Sequence, residues 1–211
     1  MILNIDNYPN IFLNRMQLTS QDVSNMVGSY PLTFFKTKDQ KVEDSNSMPP
    51  FIDAFYTYIF MHQRILNQKD FYEYYISFKN NHNLLQEYSV EGVKSRVYRI
   101  YPSLVRELHF ILFTRENITE AEIRYHTNLD KNGIDMVIIY KEKLYAVRLL
   151  MLTYNATKYS DEKKNERHTE FENVKYIDFP LDTKNSGIHC GDFILYGNEE
   201  LNKLIEILNA N

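Results

Sequence analysis

The chain has 211 residues, of which 44% are hydrophobic and 25% charged, and these values are typical of a folded globular protein. Its single cysteine excludes an intramolecular disulfide and a cysteine-rich zinc module, and it predicts a cytoplasmic location. The formal net charge of −4 argues against a protein that coats nucleic acid through bulk charge. We expect no membrane segment and no secretory signal, because long apolar runs and a basic leader are both missing.

The first part of the chain, residues 1–95, predicts a helical N-terminal region. A short helix is expected at residues 18–27, with Thr19 or Ser20 as its N-cap. Residues 36–48 are charged and show no periodicity, which predicts a loop.

Apolar residues recur at helical spacing from residue 51 to residue 78, and the polar residues 67–70 divide this stretch into two predicted helices. Many of these residues are aromatic. The one-sided pattern favours packing between helices, and a base-stacking surface is the alternative. Residues 79–86 predict a further loop.

A third helix is predicted at about residues 93–115, with Pro102 as a break or as a first-turn position. Glu107 falls at the edge of the apolar stripe, where a carboxylate can point into a cleft while the helix stays anchored. A boundary glutamate paired with Arg106 or with a nearby lysine is the alternative. The stripe itself consists of Leu104, Leu108 and Ile111.

Strand patterns dominate the rest of the chain, which we predict to be an α/β core over residues 96–211 with a mixed sheet flanked by helices. A polar helix is predicted at residues 156–171, and an amphipathic helix at 198–211 carries a stripe at Leu201, Leu204, Ile205 and Leu208. The predicted strands are 123–129, 133–140, 144–152, 174–181 and 191–197, with a turn at 141–143.

Three segments together resemble the PD-(D/E)XK, or restriction-endonuclease-like, superfamily: "PSLVRELHFILF", "GIDMVIIYKEKLYAVRLLM" and "VKYIDFPL". The resemblance rests on order and spacing and covers about residues 97–182. It implies a metal-dependent nuclease in which Glu107 on the first core helix and Asp135 at the start of the second strand bind Mg²⁺ or Mn²⁺ and act in catalysis. Taken alone, an aspartate at the start of such a strand is more often a simple turn or edge residue.

The third strand departs from the family pattern, which there has an acidic residue and, two positions later, a lysine. Arg148 stands at the acidic position and Leu150 at the lysine position. Arginine cannot ligate Mg²⁺, and leucine has no charge. The chain has no acidic residue between Glu142 and Asp161, so a shifted register does not restore the ligand.

The predicted helix 156–171 offers a compensation. One of its faces carries Ser160, Lys164, Arg167 and His168, beside Lys163. The resemblance makes Lys164 a candidate for a catalytic lysine that has moved to this helix. Nucleic-acid binding is the second reading, with Arg148, Ser160, Lys163, Arg167 and His168 as contacts, and a solvated helix face is the third.

Other site chemistries find no support in the sequence. The six histidines lack the short spacings of a zinc site, and the glycine-rich phosphate-binding motifs are absent. His189 and Cys190 are adjacent in a predicted strand, where neighbouring side chains point to opposite faces.

The sequence therefore predicts a nuclease-fold protein that binds nucleic acid, with DNA as the expected form, and that cleaves it through a rearranged or impaired site. A phage, mobile-element or defence system is the expected setting. The first alternative is an inactive descendant that binds a protein partner as an accessory subunit or inhibitor. An α/β enzyme acting on small nucleotides is the second. The helical first part is expected to serve recognition or to form a homodimer.

Overall fold

The protein is a mixed α/β protein with a four-stranded mixed sheet flanked by helices and a helical N-terminal region. This architecture confirms the predicted fold class at that level. It is seen in a computed structural model, which describes residues 1–35, 38–45, 48–151 and 171–210.

The described residues form two compact units. The sheet unit consists of Met1–Ser20, His109–Ile188 and Ile194–Asn211, and the helical unit consists of Gln21–Leu108 and His189–Phe193. The predicted division into domains after residue 95 stays a prediction.

Seven α-helices are described in the first 117 residues. They are α1 Ile11–Arg15, α2 Ser20–Val27, α3 Gln40–Glu43, α4 Phe51–His62, α5 Gln68–Ser77, α6 Leu84–Glu87 and α7 Val90–Asn117, with 3-10 turns at Ile5–Asn7 and Phe78–Asn83. The helices predicted at 18–27 and on both sides of residues 67–70 are therefore confirmed.

Two predicted loops contain helical turns instead. Within residues 36–48, α3 forms because the Asp39 side chain accepts hydrogen bonds from the backbone N–H groups of Lys41 and Val42. Val42 is fully buried and anchors that turn. Residues 79–86 fall largely in the second 3-10 turn and in α6.

Helix α7 runs through Pro102 without ending, so the predicted break at this proline is wrong. A proline in a helix interior has no N–H for the carbonyl four residues earlier, which here belongs to Tyr98. The Gln68 side chain replaces that donor, because its Nε2 donates to the Tyr98 carbonyl at 2.8 Å. Gln68 is buried and is also hydrogen-bonded to both backbone groups of Thr33.

The four-stranded sheet has the order β1-β2-β3-β4, in which the first three strands are antiparallel and β4 runs parallel to β3. A separate two-stranded sheet pairs β5 with β6. The strands are β1 Glu122–Arg124, β2 Met136–Tyr140, β3 Lys143–Met151, β4 Val174–Leu181, β5 Ile188–Cys190 and β6 Phe193–Leu195; the helices of this part are α8 Thr127–Asp130 and α9 Asn198–Ala210.

The β2–β3 hairpin is as predicted. Lys141 and Glu142 form its tight turn with φ values of 48° and 63°, a left-handed backbone that matches the twist of a two-residue hairpin. The predicted strand 123–129 is half wrong, because it ends at Arg124 and its last residues enter α8. Strand β5 contains His189 and Cys190, which were expected to be adjacent in a strand. The predicted helix 156–171 lies almost wholly outside the described residues.

The sheet unit packs on both faces of its sheet. On one face, Val137 and Ala146 lie in a buried cluster with Leu3 and Phe171, and Tyr176 packs against it. On the other, Phe110 of α7 stacks against Phe179 of β4 at a ring distance of 5.4 Å and against Tyr196 at 4.3 Å. Alternation along β4 explains this, since its residues face the two sides in turn.

Helix α9 buries three of the four residues of its predicted stripe: Leu201, Leu204 and Leu208. Ile205 is partly exposed. In the part of the chain that the structure describes, no helix has the length and apolar character needed to span a membrane.

The hydrogen bond from Gln68 to the Tyr98 carbonyl can be tested as the reason that α7 continues through Pro102. We expect Gln68→Leu to lower the free energy of unfolding by about 1–3 kcal/mol, because it leaves the buried Tyr98 carbonyl without a donor. Urea denaturation of both proteins measures the difference.

Pro102→Ala restores a backbone N–H opposite the same carbonyl. The loss caused by Gln68→Leu should therefore be smaller in the Pro102→Ala background than in the natural one. Equal losses in both backgrounds would show that Gln68 does not act through the Tyr98 carbonyl.

Candidate functional site

Two carboxylates are brought together by the turn between α8 and β2. Helix α8 ends in a Schellman motif, in which the N–H of Gly133 donates to the Asp130 carbonyl at 2.7 Å and that of Ile134 to the Leu129 carbonyl at 3.0 Å. Gly133 has φ +77°, a conformation that glycine adopts at no steric cost. Leu129 and Ile134 are both buried, so the turn that carries Asp130 and Asp135 is anchored in the core.

Asp135 is tied to β3 through both its backbone and its side chain. Its N–H donates to the Val147 carbonyl at 3.0 Å, and its Oδ2 accepts a hydrogen bond from the N–H of Leu149 at 2.5 Å. These two partners flank Arg148. The carboxylate thus lies at the point of β3 where the sequence departs from the family pattern.

Asp130 is the second carboxylate of the turn. Its Oδ2 accepts a hydrogen bond from the buried Tyr125 hydroxyl at 3.2 Å. One oxygen of Asp130 and one of Asp135 lie within 4.8 Å of each other, and both residues are partly buried. Two like charges at this separation disfavour simultaneous ionisation.

The pKa of the Asp135 carboxyl reflects this arrangement. Burial raises the pKa of Asp135 to about 7, and the negative charge of Asp130 acts in the same direction. The hydrogen bond from Leu149 and the positive charge of Arg148 lower this pKa, but by less. The protonated form of Asp135 is therefore favoured to a higher pH than that of an ordinary aspartate.

Glu107 lies on α7 and is partly exposed. Its Oε1 accepts a hydrogen bond from the Tyr56 hydroxyl of α4 at 2.7 Å. Tyr56 is buried, and the sequence pattern favoured helix packing for it, with base stacking as the alternative. Its ring does pack against Phe55, while its hydroxyl holds one orientation of the Glu107 carboxylate.

Arg148 forms an ion pair with Asp178, the residue beside it on β4 in the parallel register. Its Nε donates to Asp178 Oδ1 at 2.6 Å, and its guanidinium carbon lies 4.9 Å from the centre of the Tyr176 ring. Arg148, which was predicted to contact nucleic acid, is thus a mostly buried cation at the edge of the carboxylate site. Leu150 is also partly buried.

The remaining predicted contacts are Ser160, Lys163, Lys164, Arg167 and His168. All five lie outside the described residues, so the proposed role of this segment stays a prediction.

Sequence reasoning missed Asp130 because residues 123–129 were assigned to a strand. The available signal was the helix ending itself: Gly133 stands at the position that closes a helix, and four residues separate the two aspartates in "DKNGID". Tyr56 gave no comparable signal, because an aromatic residue in an apolar stripe fits core packing fully.

Comparisons of the chain with family models, with curated proteins and with solved structures found no match.

The raised pKa of Asp135 predicts how stability depends on pH. A carboxyl whose pKa is higher in the folded than in the unfolded chain contributes stability below its unfolded pKa, and this contribution is lost as the pH rises through about 7. Asp135→Asn mimics the protonated form. We therefore expect the variant to gain stability over the natural protein between about pH 4 and pH 8, in urea denaturation with a chelator present.

Asp182→Asn serves as a control of opposite sign. A hydrogen bond from the Asn185 side chain lowers the pKa of the partly exposed Asp182, so its charged form is the favoured one. This variant should lose stability at neutral pH. If Asp135→Asn follows the pH profile of the natural protein, the environment assigned to Asp135 is wrong.

Proposed function

We propose that the protein is a metal-dependent nuclease of the restriction-endonuclease-like type, with DNA as its expected substrate and with a rearranged active site. The order of α7, β1, β2, β3 and β4 supports this proposal, because a helix followed by an antiparallel three-stranded meander and a parallel fourth strand matches the order expected from the sequence resemblance.

The observation that carries the proposal is the convergence of carboxylates. Asp130 and Asp135 each offer one oxygen, and these two oxygens lie within 4.8 Å of each other. Glu107 is the third ligand of the proposal and comes from the sequence resemblance. Two of the three residues were expected from the resemblance.

The donor set fits a hard divalent cation. Mg²⁺ and Mn²⁺ prefer carboxylate oxygens, and all three candidate ligands are carboxylates. The raised pKa of Asp135 supports the same reading, since burial and the negative charge of Asp130 both disfavour its ionised form and a bound cation would offset them. A bound cation would supply Lewis acidity toward a phosphate oxygen and a more acidic water.

The residues of the chain then have separate roles. Asp135 must be deprotonated to bind, and the Leu149 N–H fixes its orientation. Asp130 provides the carboxylate that the third strand lacks at Arg148. Tyr56 holds Glu107 by hydrogen bonding to the oxygen Oε1.

A binding function without cleavage is the second candidate, and the departures on β3 favour it. Leu150 replaces the lysine that the family pattern has, and the segment with its candidate substitute, Lys164, is not described. An inactive descendant that binds a protein partner would need neither the cation nor the lysine.

Cleavage is the first measurement. We expect linear and circular DNA to be cut in Mg²⁺ or Mn²⁺, with RNA tested in parallel. Asp135→Asn, Asp130→Asn and Glu107→Gln should each lower the rate by a factor of about 100 or more, because each removes a charged ligand. Gel assays of product formation give the rates.

Asp53→Asn is the matched control, since it removes a carboxylate from the first turn of α4. It should leave the rate unchanged. Binding of DNA without cleavage by the natural protein would support the binding candidate, and the absence of both would leave the protein-partner alternative.

The Tyr56 hydrogen bond makes a separate prediction about cation affinity. We expect Tyr56→Phe to weaken Mn²⁺ binding by about 10-fold, because partners that orient metal ligands commonly contribute that much. Calorimetric titration with Mn²⁺ measures it. Tyr75→Phe is the control, since the buried Tyr75 donates to the Pro49 carbonyl at 2.8 Å.

Both variants remove one buried hydroxyl from the helical unit, so both should lose similar stability. Equal Mn²⁺ affinities for the two variants would show that Tyr56 contributes to folding alone.

A further inference from the structure

Arg148 has an unusual set of contacts for an arginine that is mostly buried. Its side chain is 16% exposed, and among the described residues only Asp178 accepts a hydrogen bond from it, at Nε. A guanidinium carries five N–H donors in a planar fork, and the described residues offer no acceptor to its two terminal nitrogens.

The surroundings of Arg148 fix its position. Asp178 holds the Nε edge at 2.6 Å, and the Tyr176 ring lies against the guanidinium face at 4.9 Å. Both partners are on β4, whose parallel pairing with β3 places Asp178 directly beside Arg148. Restricting a flexible arginine in advance lowers the entropic cost of binding a ligand.

The fixed guanidinium is adjacent to the carboxylate site. Val147 and Leu149, the residues on either side of Arg148, both hydrogen-bond to Asp135. A planar fork with free donors beside hard metal ligands is suited to a phosphate group, whose oxygens accept paired hydrogen bonds.

We propose that Arg148, oriented by Asp178 and Tyr176, binds a phosphate group of the nucleic-acid substrate next to Asp135. This inference rests on the proposed nuclease function. It gives the site the cation that Leu150 does not supply, two positions earlier on the same strand. Asp178 and Tyr176 are positioning residues, since they act through Arg148.

The test is DNA binding in Ca²⁺ in place of Mg²⁺, measured by fluorescence anisotropy with a labelled duplex over about 50–200 mM salt. Arg148→Gln should weaken binding by about 10-fold and lower the salt slope by about one, as expected for the loss of one phosphate contact. Arg148→Lys should keep the slope but bind more weakly, because an ammonium group lacks the planar fork.

Arg124→Gln is the matched control. Arg124 lies on β1 of the same sheet, is 18% exposed, and donates from Nε to Glu122 at 2.6 Å. The net charge changes equally in both variants. An equal change of slope in the two would overturn the proposal, because it would reflect charge alone.

Asp178→Ala tests the positioning role. Removing a negative charge near bound DNA tightens binding by general electrostatics, as Asp182→Ala should show. Asp178→Ala is expected to weaken binding instead, and to have no effect in the Arg148→Gln background. Tightening in Asp178→Ala equal to that in Asp182→Ala would overturn the positioning role.

The inference and the proposed function fail in different ways. If Arg148→Gln leaves the salt slope of DNA binding unchanged while cleavage depends on Asp135, the phosphate site is overturned and the nuclease is kept. If Arg148→Gln lowers that slope while the natural protein does not cleave DNA, the phosphate site is supported and the nuclease is overturned.

Discussion

The placement of two negative charges in one short turn is the constraint on which this site depends. Asp130 and Asp135 are five residues apart, and the Schellman motif between them fixes their separation through backbone hydrogen bonds that involve neither carboxylate. Since Leu129 and Ile134 are buried on either side of the turn, the chain cannot relax the repulsion by opening it. Burial raises the pKa of Asp135, and the repulsion from Asp130 acts in the same direction.

Under the proposed function, the site keeps an acid and a cation as in the family pattern, but different residues supply them. That pattern has an acid and a lysine on one strand. Here the acid is Asp130, in the turn before β2, and the cation is Arg148, at the position of the missing acid. Asp130 without Arg148, or Arg148 without Asp130, would leave one unbalanced charge beside Asp135. The two departures from the family pattern are therefore explained together.

The sequence predicted those elements whose causes are local. The β2–β3 hairpin follows from two apolar strands around a polar pair, and α4 and α5 follow from apolar spacing. Helix α7 could not be predicted to pass through Pro102, because the donor that replaces the missing N–H is Gln68, 34 residues earlier in the chain. Asp130 was missed for a related reason, since four residues of helix after a three-residue strand leave too short a pattern to recognise.

Under the proposed function, a proton and a divalent cation compete for Asp135. Because burial and the charge of Asp130 raise the pKa of Asp135 to about 7, the protonated form persists to a higher pH than in an ordinary aspartate, and the proton removes the repulsion from Asp130. A cation that binds Asp130 and Asp135 must displace this proton, so its affinity should rise with pH until Asp135 is fully ionised. The charges that repel each other in the ionised turn would then favour the bound cation. The positive charge of Arg148 moderates both effects, because it lowers the pKa of Asp135 without occupying the position of a ligand.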